Sequence, residues 1–203
     1  SVSTAPNVMV TAPVVRRYSR CPLPTERGNI ELVVYREHHE TRGLLEHVAL
    51  VVGKPPKNNA LVRIHSECVT SEIFGSLKCD CAEQLDIAME LMHAEGAGVV
   101  TYLRQEGRGI GLGNKVAAYA LQATGSDTIE ANHELGFATD LRSFRVAAEM
   151  LQDLGIESVR LLTNNPKKMD DLAAGGVTQI TPGKHLIGVN PNNQRYLKAK
   201  RDW

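Results

Sequence analysis

Between residues 29 and 64 the chain is patterned for strands. NIELVVY (Asn29–Tyr35) alternates and then runs apolar, HVALVV (His47–Val52) is a short apolar run, and Ala60–Ile64 is a third. The polar stretch Glu37–Arg42, with His38 and His39 adjacent, reads as a solvated loop, and KPPKNN (Lys54–Asn59) as a turn. Beyond Cys81 the period lengthens. Leu85, Ala88, Met89 and Met92 fall on one helical face, and Gly96 is a stop signal. GVVTYL (Gly98–Leu103) predicts a buried strand, and a helix opening near Asn114 carries Val116, Ala117, Ala120 and Leu121. Ser126–Asn132 reads as a short extended piece. A long helix is predicted from Asp140, with Leu141, Phe144, Ala147, Ala148, Leu151 and Leu154 inward and Gly155 ending it. Ser158–Leu162 follows as a strand, Thr163–Pro166 as a turn, and Lys167–Ala174 as a short helix.

Residues 1–20 mix Ser, Thr, Pro and small apolar residues without a sustained period, which predicts a flexible N-terminal tail. The remainder, 21–203, shows no repeat and no linker. Strands come first and then alternate with helices, so the expected fold is a single α/β domain built on a mixed β-sheet flanked by helices.

Composition narrows the function. Of 203 residues 42% are hydrophobic, enough for a core, while 23 Lys and Arg balance 23 Asp and Glu. With no basic excess and only 4% aromatics, nucleic-acid binding is disfavoured, and any anionic ligand has to be met by a local basic cluster. The sequence shows no charged-then-apolar leader pattern and no apolar run near the length of about eighteen residues that would suggest a membrane span. The expectation is a soluble protein of a reducing cytoplasm.

The densest chemistry lies in RIHSECVTSEIFGSLKCDCAEQL (Arg63–Leu85), where Cys68, Cys79 and Cys81 stand in a C-x10-C-x-C pattern. Three thiolates in one loop suit a zinc ion. A closed structural site would need a fourth protein ligand, for which His65 and the distant Cys21 are the candidates, whereas three ligands with an open position is the catalytic pattern. Buried structural cysteines are the plainer alternative. Their setting among Glu67, Ser71, Lys78 and Asp80 argues against it, and nothing points to a disulfide.

RQEGRGIGLG (Arg104–Gly113) sits between a predicted strand and a helix. Its glycines let backbone N–H groups approach an anion, and Arg104 and Arg108 offer guanidinium forks, although a plain turn would use the same residues. TNNPKK (Thr163–Lys168) is similar in kind. Asp140 and Arg142 open a predicted helix, where an Asp would ordinarily be a cap. Tyr119 lies among small alanines and by default belongs to the core; Glu67 and Glu106 are possible proton carriers.

Taken in order, HSEC, GSLKCDC, YLRQEGRGIGL, DTIEAN, LGF, DLR and LLTNNPKK closely resemble GTP cyclohydrolase II, from about Pro22 to Leu197. The resemblance implies an α/β/α fold, assembled as a homodimer, and an enzyme that opens the riboflavin pathway. Such an enzyme converts GTP to 2,5-diamino-6-ribosylamino-4(3H)-pyrimidinone 5′-phosphate, formate and pyrophosphate. It uses Zn2+, and Mg2+ with the triphosphate. Carried over by position, it makes Cys68, Cys79 and Cys81 the zinc ligands. Arg63, Ile64, His65, Ser66, Glu67, Gln84, Glu106, Gly107, Arg108, Thr128, Thr163 and Lys168 would contact GTP. Asp140 would be the general base, Arg142 would act at the α-phosphate, and Tyr119 falls where the family has a tyrosine tied to ring opening.

Departures are modest. VTSEIFGSLKCDCA lacks glycines often found after the Thr and the last Cys, Gly113 replaces a frequent Leu and Lys78 a frequent Arg, and HLIGVNPNNQRYL differs from the usual segment. No ligand is removed. Two alternatives stay open: a relative in secondary metabolism that stops at the formylated intermediate, and a non-catalytic GTP-binding relative. The twenty residues before Cys21 are too few for a companion dihydroxybutanone-phosphate synthase domain.

Overall fold

The computed structural model describes residues 14–125, 142–163 and 165–182. Seven strands form one mixed sheet: β1 (Val15–Thr25), β2 (Gly28–His39), β3 (Gly43–Gly53), β4 (Ala60–Ser66), β5 (Ala97–Leu103), β6 (Ser158–Leu161) and β7 (Gln179–Pro182), in the spatial order β1-β2-β3-β5-β4-β6-β7. The first three strands and β5 pair antiparallel, while β5, β4, β6 and β7 run parallel. Among the described residues, five α-helices connect them: α1 (Val69–Glu72), α2 (Cys81–Glu95), α3 (Leu112–Ala123), α4 (Arg145–Asp153) and α5 (Pro166–Ala174). The expected mixed α/β sheet is thus observed.

Alternation along the central strands builds two cores. Ala60, Val62 and Ile64 of β4 join Val99 and Leu103 of β5 under α4 and α5, where Ala147, Leu151 and Leu172 are fully buried. Leu61 and Val100 point the other way, onto Ala88, Met89 and Met92 of α2. Each buried side chain of this size contributes about 1.5–3 kcal/mol. Where β3 ends, Gly53 (φ +58°) passes so close to Gly96 that an added Cβ would stand 2.0 Å from the Gly96 carbonyl oxygen, so position 53 tolerates no side chain.

Two local expectations change. Residues 15–20, expected in the tail, belong to β1, which pairs with β2 and is tied down where Glu149 accepts from the N–H groups of Val14 and Val15 (2.7 and 3.0 Å). An edge strand this exposed needs no apolar alternation, and it tolerates Pro22 and Pro24. Glu37–His39, expected in a loop, extend β2 and pair with Gly43–Leu45.

Candidate metal centre and its surroundings

β5, β4 and β6 are parallel neighbours, so the chain leaves all three at the same edge of the sheet. Such an edge, between strands whose connections run to opposite sides, is where open α/β sheets form ligand crevices. The cysteine loop leaves β4, the Gly-rich loop leaves β5, and Thr163 follows β6. The first two are stitched together where the Glu67 N–H donates to the Leu103 carbonyl (2.9 Å).

Cys68 immediately precedes α1, and Cys81 begins α2. The Sγ atoms of Cys68, Cys79 and Cys81 lie within 4.8 Å of one another, with Cys68 and Cys79 3.6 Å apart. Tetrahedral zinc with bonds of about 2.3 Å places its sulfurs roughly 3.8 Å apart, so the spacing fits the ion. Among the described residues, no fourth His, Cys, Asp or Glu joins this group. His65 has both ring nitrogens engaged elsewhere, and Cys21 is exposed on β1. Hydrogen bonds from Cys79, Cys81, Thr70 and Lys115 hold the Cys68 thiol far below the ordinary range. The resulting thiolate, with burial, pushes Cys81 and Cys79 up.

Lys115 on α3 lies against this cluster. Its Nζ stands 3.1 Å from Cys68 Sγ and 2.7 Å from Glu106 Oε1. Burial opposes the Lys115 charge, but bonds to Glu106 and Cys68 more than compensate and raise its pKa. The other Glu106 oxygen accepts from the Val69 N–H (2.8 Å), so this buried carboxylate joins the Gly-rich loop to the start of α1. Tyr119, one turn beyond Lys115, faces the same cluster; the ammonium groups of Lys78 and Lys115 lie 4.7 and 5.8 Å from its ring centroid. Burial pushes the Tyr119 hydroxyl up, partly offset by Lys115 and by a hydrogen bond with Thr70. Thr70 Oγ1 is itself 3.6 Å from Cys68 Sγ.

Arg63 and His65 project from β4 toward α2 and α1. Arg63 Nη2 donates to Gln84 Oε1 (2.5 Å), and Gln84 Nε2 donates to Asp80, between the two later cysteines (2.5 Å). His65 Nε2 meets Glu72 Oε1 at 2.5 Å, Tyr102 donates to Glu72 Oε2 (2.5 Å), and the His65 and Tyr102 rings stack. Both ends of the cysteine loop are therefore fastened to one strand. Ile64 between them is wholly buried; its carbonyl accepts from Lys168 Nζ (2.7 Å).

The Gly-rich loop turns through Gly107 (φ +61°) and Arg108 (φ +57°), both left-handed, and it is closed on itself: the Gly107 N–H donates to Glu106 Oε1, and the N–H groups of Gly109, Ile110 and Gly111 donate to the Gln105, Gly107 and Glu106 carbonyls. Its first peptide is gripped from the β2–β3 hairpin: the Arg104 N–H donates to His47 Nδ1 (3.0 Å), and Arg42 Nη1 donates to the Arg104 carbonyl (3.1 Å). His47 Nε2 in turn meets the buried Glu37 at 2.6 Å. The Arg104 side chain pairs with Glu67 (2.7 Å), whose carboxyl is nonetheless raised, chiefly by burial. Ser66 Oγ donates to Gln105 Oε1 (3.4 Å).

On the β6 side, Thr163 Oγ1 accepts from the Asn165 N–H (3.0 Å), and Asn165 caps α5. Lys168 Nζ and the Arg142 guanidinium lie 5.5 and 5.4 Å from the Phe144 ring centroid, and the Arg142 carbonyl accepts from Lys167. Arg142 precedes α4, which begins at Arg145 rather than near residue 140, because Phe144 takes the N-cap position. Asp140 and Thr128 lie outside the described residues. Sequence reasoning passed over Lys115, Thr70, Glu72 and Tyr102. The one available signal was Lys115 four residues before Tyr119, one helical turn away.

A family profile described as GTP cyclohydrolase II matches residues 16–181. The chain is 50% identical over 184 residues to a GTP cyclohydrolase-2 of Neisseria meningitidis, covering 90% of this chain and 91% of that one. It is 45% identical over 189 residues to a GTP cyclohydrolase-2 of Shigella boydii, covering 93% and 95%. It is also 50% identical over 182 residues to the riboflavin biosynthesis protein RibBA of Salinispora tropica; this covers 89% of the chain but only 45% of that longer protein. Among solved structures, a two-domain 3,4-dihydroxy-2-butanone 4-phosphate synthase from A. baumannii shares the fold. Its TM-score is 0.52 at 22% identity, covering 86% of this chain and 41% of that one.

Proposed function

The chain belongs to the GTP cyclohydrolase II family, and from that premise we propose that it hydrolyses GTP to 2,5-diamino-6-ribosylamino-4(3H)-pyrimidinone 5′-phosphate, formate and pyrophosphate, the first committed chemistry of riboflavin synthesis. The observation that carries this reading is the three-sulfur cluster at the carboxyl edge of β4 and β5, with Tyr119 and two lysines beside it. Cys68, Cys79 and Cys81 would hold zinc, which supplies a Lewis acid and an acidified water for the two hydrolytic cuts at C8 of guanine.

The chain's own residues divide the remaining work. Tyr119, with its hydroxyl influenced by Thr70 and its ring flanked by ammonium groups, is placed to move or hold a proton beside the guanine ring. The Gly-rich loop with the Arg108 guanidinium and Thr163 lie at the same edge and suit the triphosphate, to which Mg2+ would come as companion. Arg142 acts as an electrostatic clamp at the α-phosphate, since a guanidinium stays protonated and makes a poor nucleophile. Asp140 is the general base in this scheme. Arg63, His65, Gln84 and Glu106 spend their polar atoms on one another and on the cysteine loop, so they support the site as well as meeting GTP.

A homodimer in the cytoplasm completes the proposal. Ile73, Phe74 and Leu77 on the cysteine loop are 71, 73 and 60% exposed, an apolar surface suited to a second copy. All four cysteines are free, as a reducing compartment requires. No helix among the described residues is long and apolar enough to cross a membrane.

The test is mass analysis of the product from GTP with zinc and magnesium present. The expected result is the deformylated pyrimidine phosphate with formate and pyrophosphate. A formylated product would place the chain in the secondary-metabolism reading, and unreacted GTP would leave a binding protein.

A further inference from the structure

We propose that Lys115 is the counter-cation of the sulfur cluster, a positioning residue that tunes the donor strength of Cys68. The inference rests on the zinc reading above. Three thiolates around a divalent ion carry one net negative charge. The site is half-buried, and an unbalanced charge there is costly. Lys115 brings a positive charge against it from α3, with Nζ 3.1 Å from Cys68 Sγ, inside hydrogen-bonding distance for sulfur. It does not face Cys79 or Cys81 in the same way, so its effect falls on one of the three ligands.

The ammonium is held by more than the sulfur. Glu106 Oε1 accepts from it at 2.7 Å, and Glu106 is fixed by the backbone N–H groups of Gly107 and Val69 (both 2.8 Å). An added Cβ at Gly107 would stand 3.1 Å from Lys115 Cβ, so the Gly-rich loop packs directly on the stem of this lysine. The arrangement is Glu106, Lys115, Cys68: carboxylate, ammonium, thiolate. A charge-assisted N–H···S bond lowers the energy of the sulfur lone pair and weakens its donation to a metal. It also shields the sulfur from electrophiles, since nucleophilicity follows electron density on the thiolate. The same contact couples the Gly-rich loop to the metal centre, because Glu106 holds both ends.

The test uses Co2+ as a visible stand-in for zinc. Wild type, Lys115→Met and Lys115→Arg are loaded with Co2+, and the sulfur-to-cobalt charge-transfer band is recorded. Loss of the N–H···S bond raises the donor orbital, so the Lys115→Met band moves to longer wavelength, and Lys115→Arg restores the wild-type position. On the zinc-loaded proteins, iodoacetamide modification mapped by mass spectrometry should be several-fold faster at Cys68 in Lys115→Met, with Cys79 and Cys81 little changed. An unmoved band and unchanged Cys68 alkylation in Lys115→Met overturn the proposal. So does loss of metal by both variants, which would make Lys115 a folding residue of the loop. Failure of wild type to bind either metal instead removes the zinc reading itself.

Discussion

Arg63 Nε donates to His65 Nδ1 across 3.1 Å, and this bond fixes the tautomer of a buried imidazole. With Nδ1 as acceptor, the ring proton sits on Nε2, where it is donated to Glu72. Arg63 is held by Gln84 and by the Leu162 carbonyl (3.3 Å). The two β4 side chains thus lock each other between the Cys68 and the Cys79–Cys81 ends of the loop. Exchanging Arg63 for Lys removes the fork that makes three of these bonds and should loosen both ends.

His65 yields a pH prediction. Burial lowers its pKa below the ordinary 6.5; Glu72 opposes this, and the charges of Arg63 and Lys168 add to it. The folded imidazole is therefore neutral at a pH where the unfolded one begins to protonate. Stability is present above 6.5 and is lost as pH falls from there through the folded value. Urea midpoints of wild type should drop across this window, and the gap to His65→Gln should narrow. An equal drop in both proteins would assign the acid sensitivity to other groups.

His47 and Glu37 carry the next prediction. Burial would raise the Glu37 pKa, but the hydrogen bond to His47 and the positive side of its surroundings, Arg42 included, outweigh it, so the carboxylate stays ionised. His47→Leu would strand that charge beneath the sheet at a cost of about 3–5 kcal/mol. The double change to Leu at both positions should recover much of the loss, because an apolar pair fills the same space. Chemical denaturation of the three proteins measures it, and a near-additive double mutant would refute the coupling.

The strands and helices that bury one face were legible because their apolar residues repeat at the right period, as in Leu85, Ala88, Met89 and Met92 of α2. β1 was missed because it buries almost nothing: outside Val15 its residues are exposed or partly so, and pairing with β2 is a backbone matter. The cysteine cluster was legible from spacing, since its ligands sit on one short loop. Lys115 and Glu106 were not seen as partners, since nothing in the sequence says which way a lysine on α3 points. Glu37 and His47 were hidden for the opposite reason: a charged residue near a turn ordinarily faces water, and only the hairpin's register brings the two together.

Zinc content separates the cluster from the remaining thiol. Purified protein should carry about one zinc per chain. Cys68→Ser, Cys79→Ser and Cys81→Ser should each lose most of it, while the exposed Cys21→Ser should keep it. Full zinc retention in Cys79→Ser would break the assignment.

Tyr119→Phe removes one oxygen and leaves the ring under Lys78 and Lys115. The fold should survive. If the hydroxyl moves a proton during ring opening, formate release should fall by roughly 10²-fold or more. An unchanged rate returns Tyr119 to a packing role.

The two ends of the nucleotide can be separated. The cysteine cluster would act at the guanine ring, and Arg142 with the basic loops at the triphosphate; these are different bonds. Removing the metal should stop ring opening while phosphoanhydride cleavage continues. Cys68→Ser is then expected to release pyrophosphate and leave GMP, without formate. Arg142→Ala loses a positive clamp on the reacting phosphoryl group, on the order of 10²–10³-fold in rate. Its backbone carbonyl still accepts from Lys167, so the loop before α4 keeps that anchor. Pyrophosphate release should fall, and formate with it if phosphate cleavage comes first. Ion-exchange analysis of products from wild type and both variants decides the order. Formate from metal-free Cys68→Ser would remove the cluster from ring opening. Pyrophosphate at the wild-type rate from Arg142→Ala would remove that arginine from the phosphate chemistry and leave it a structural role beside Phe144.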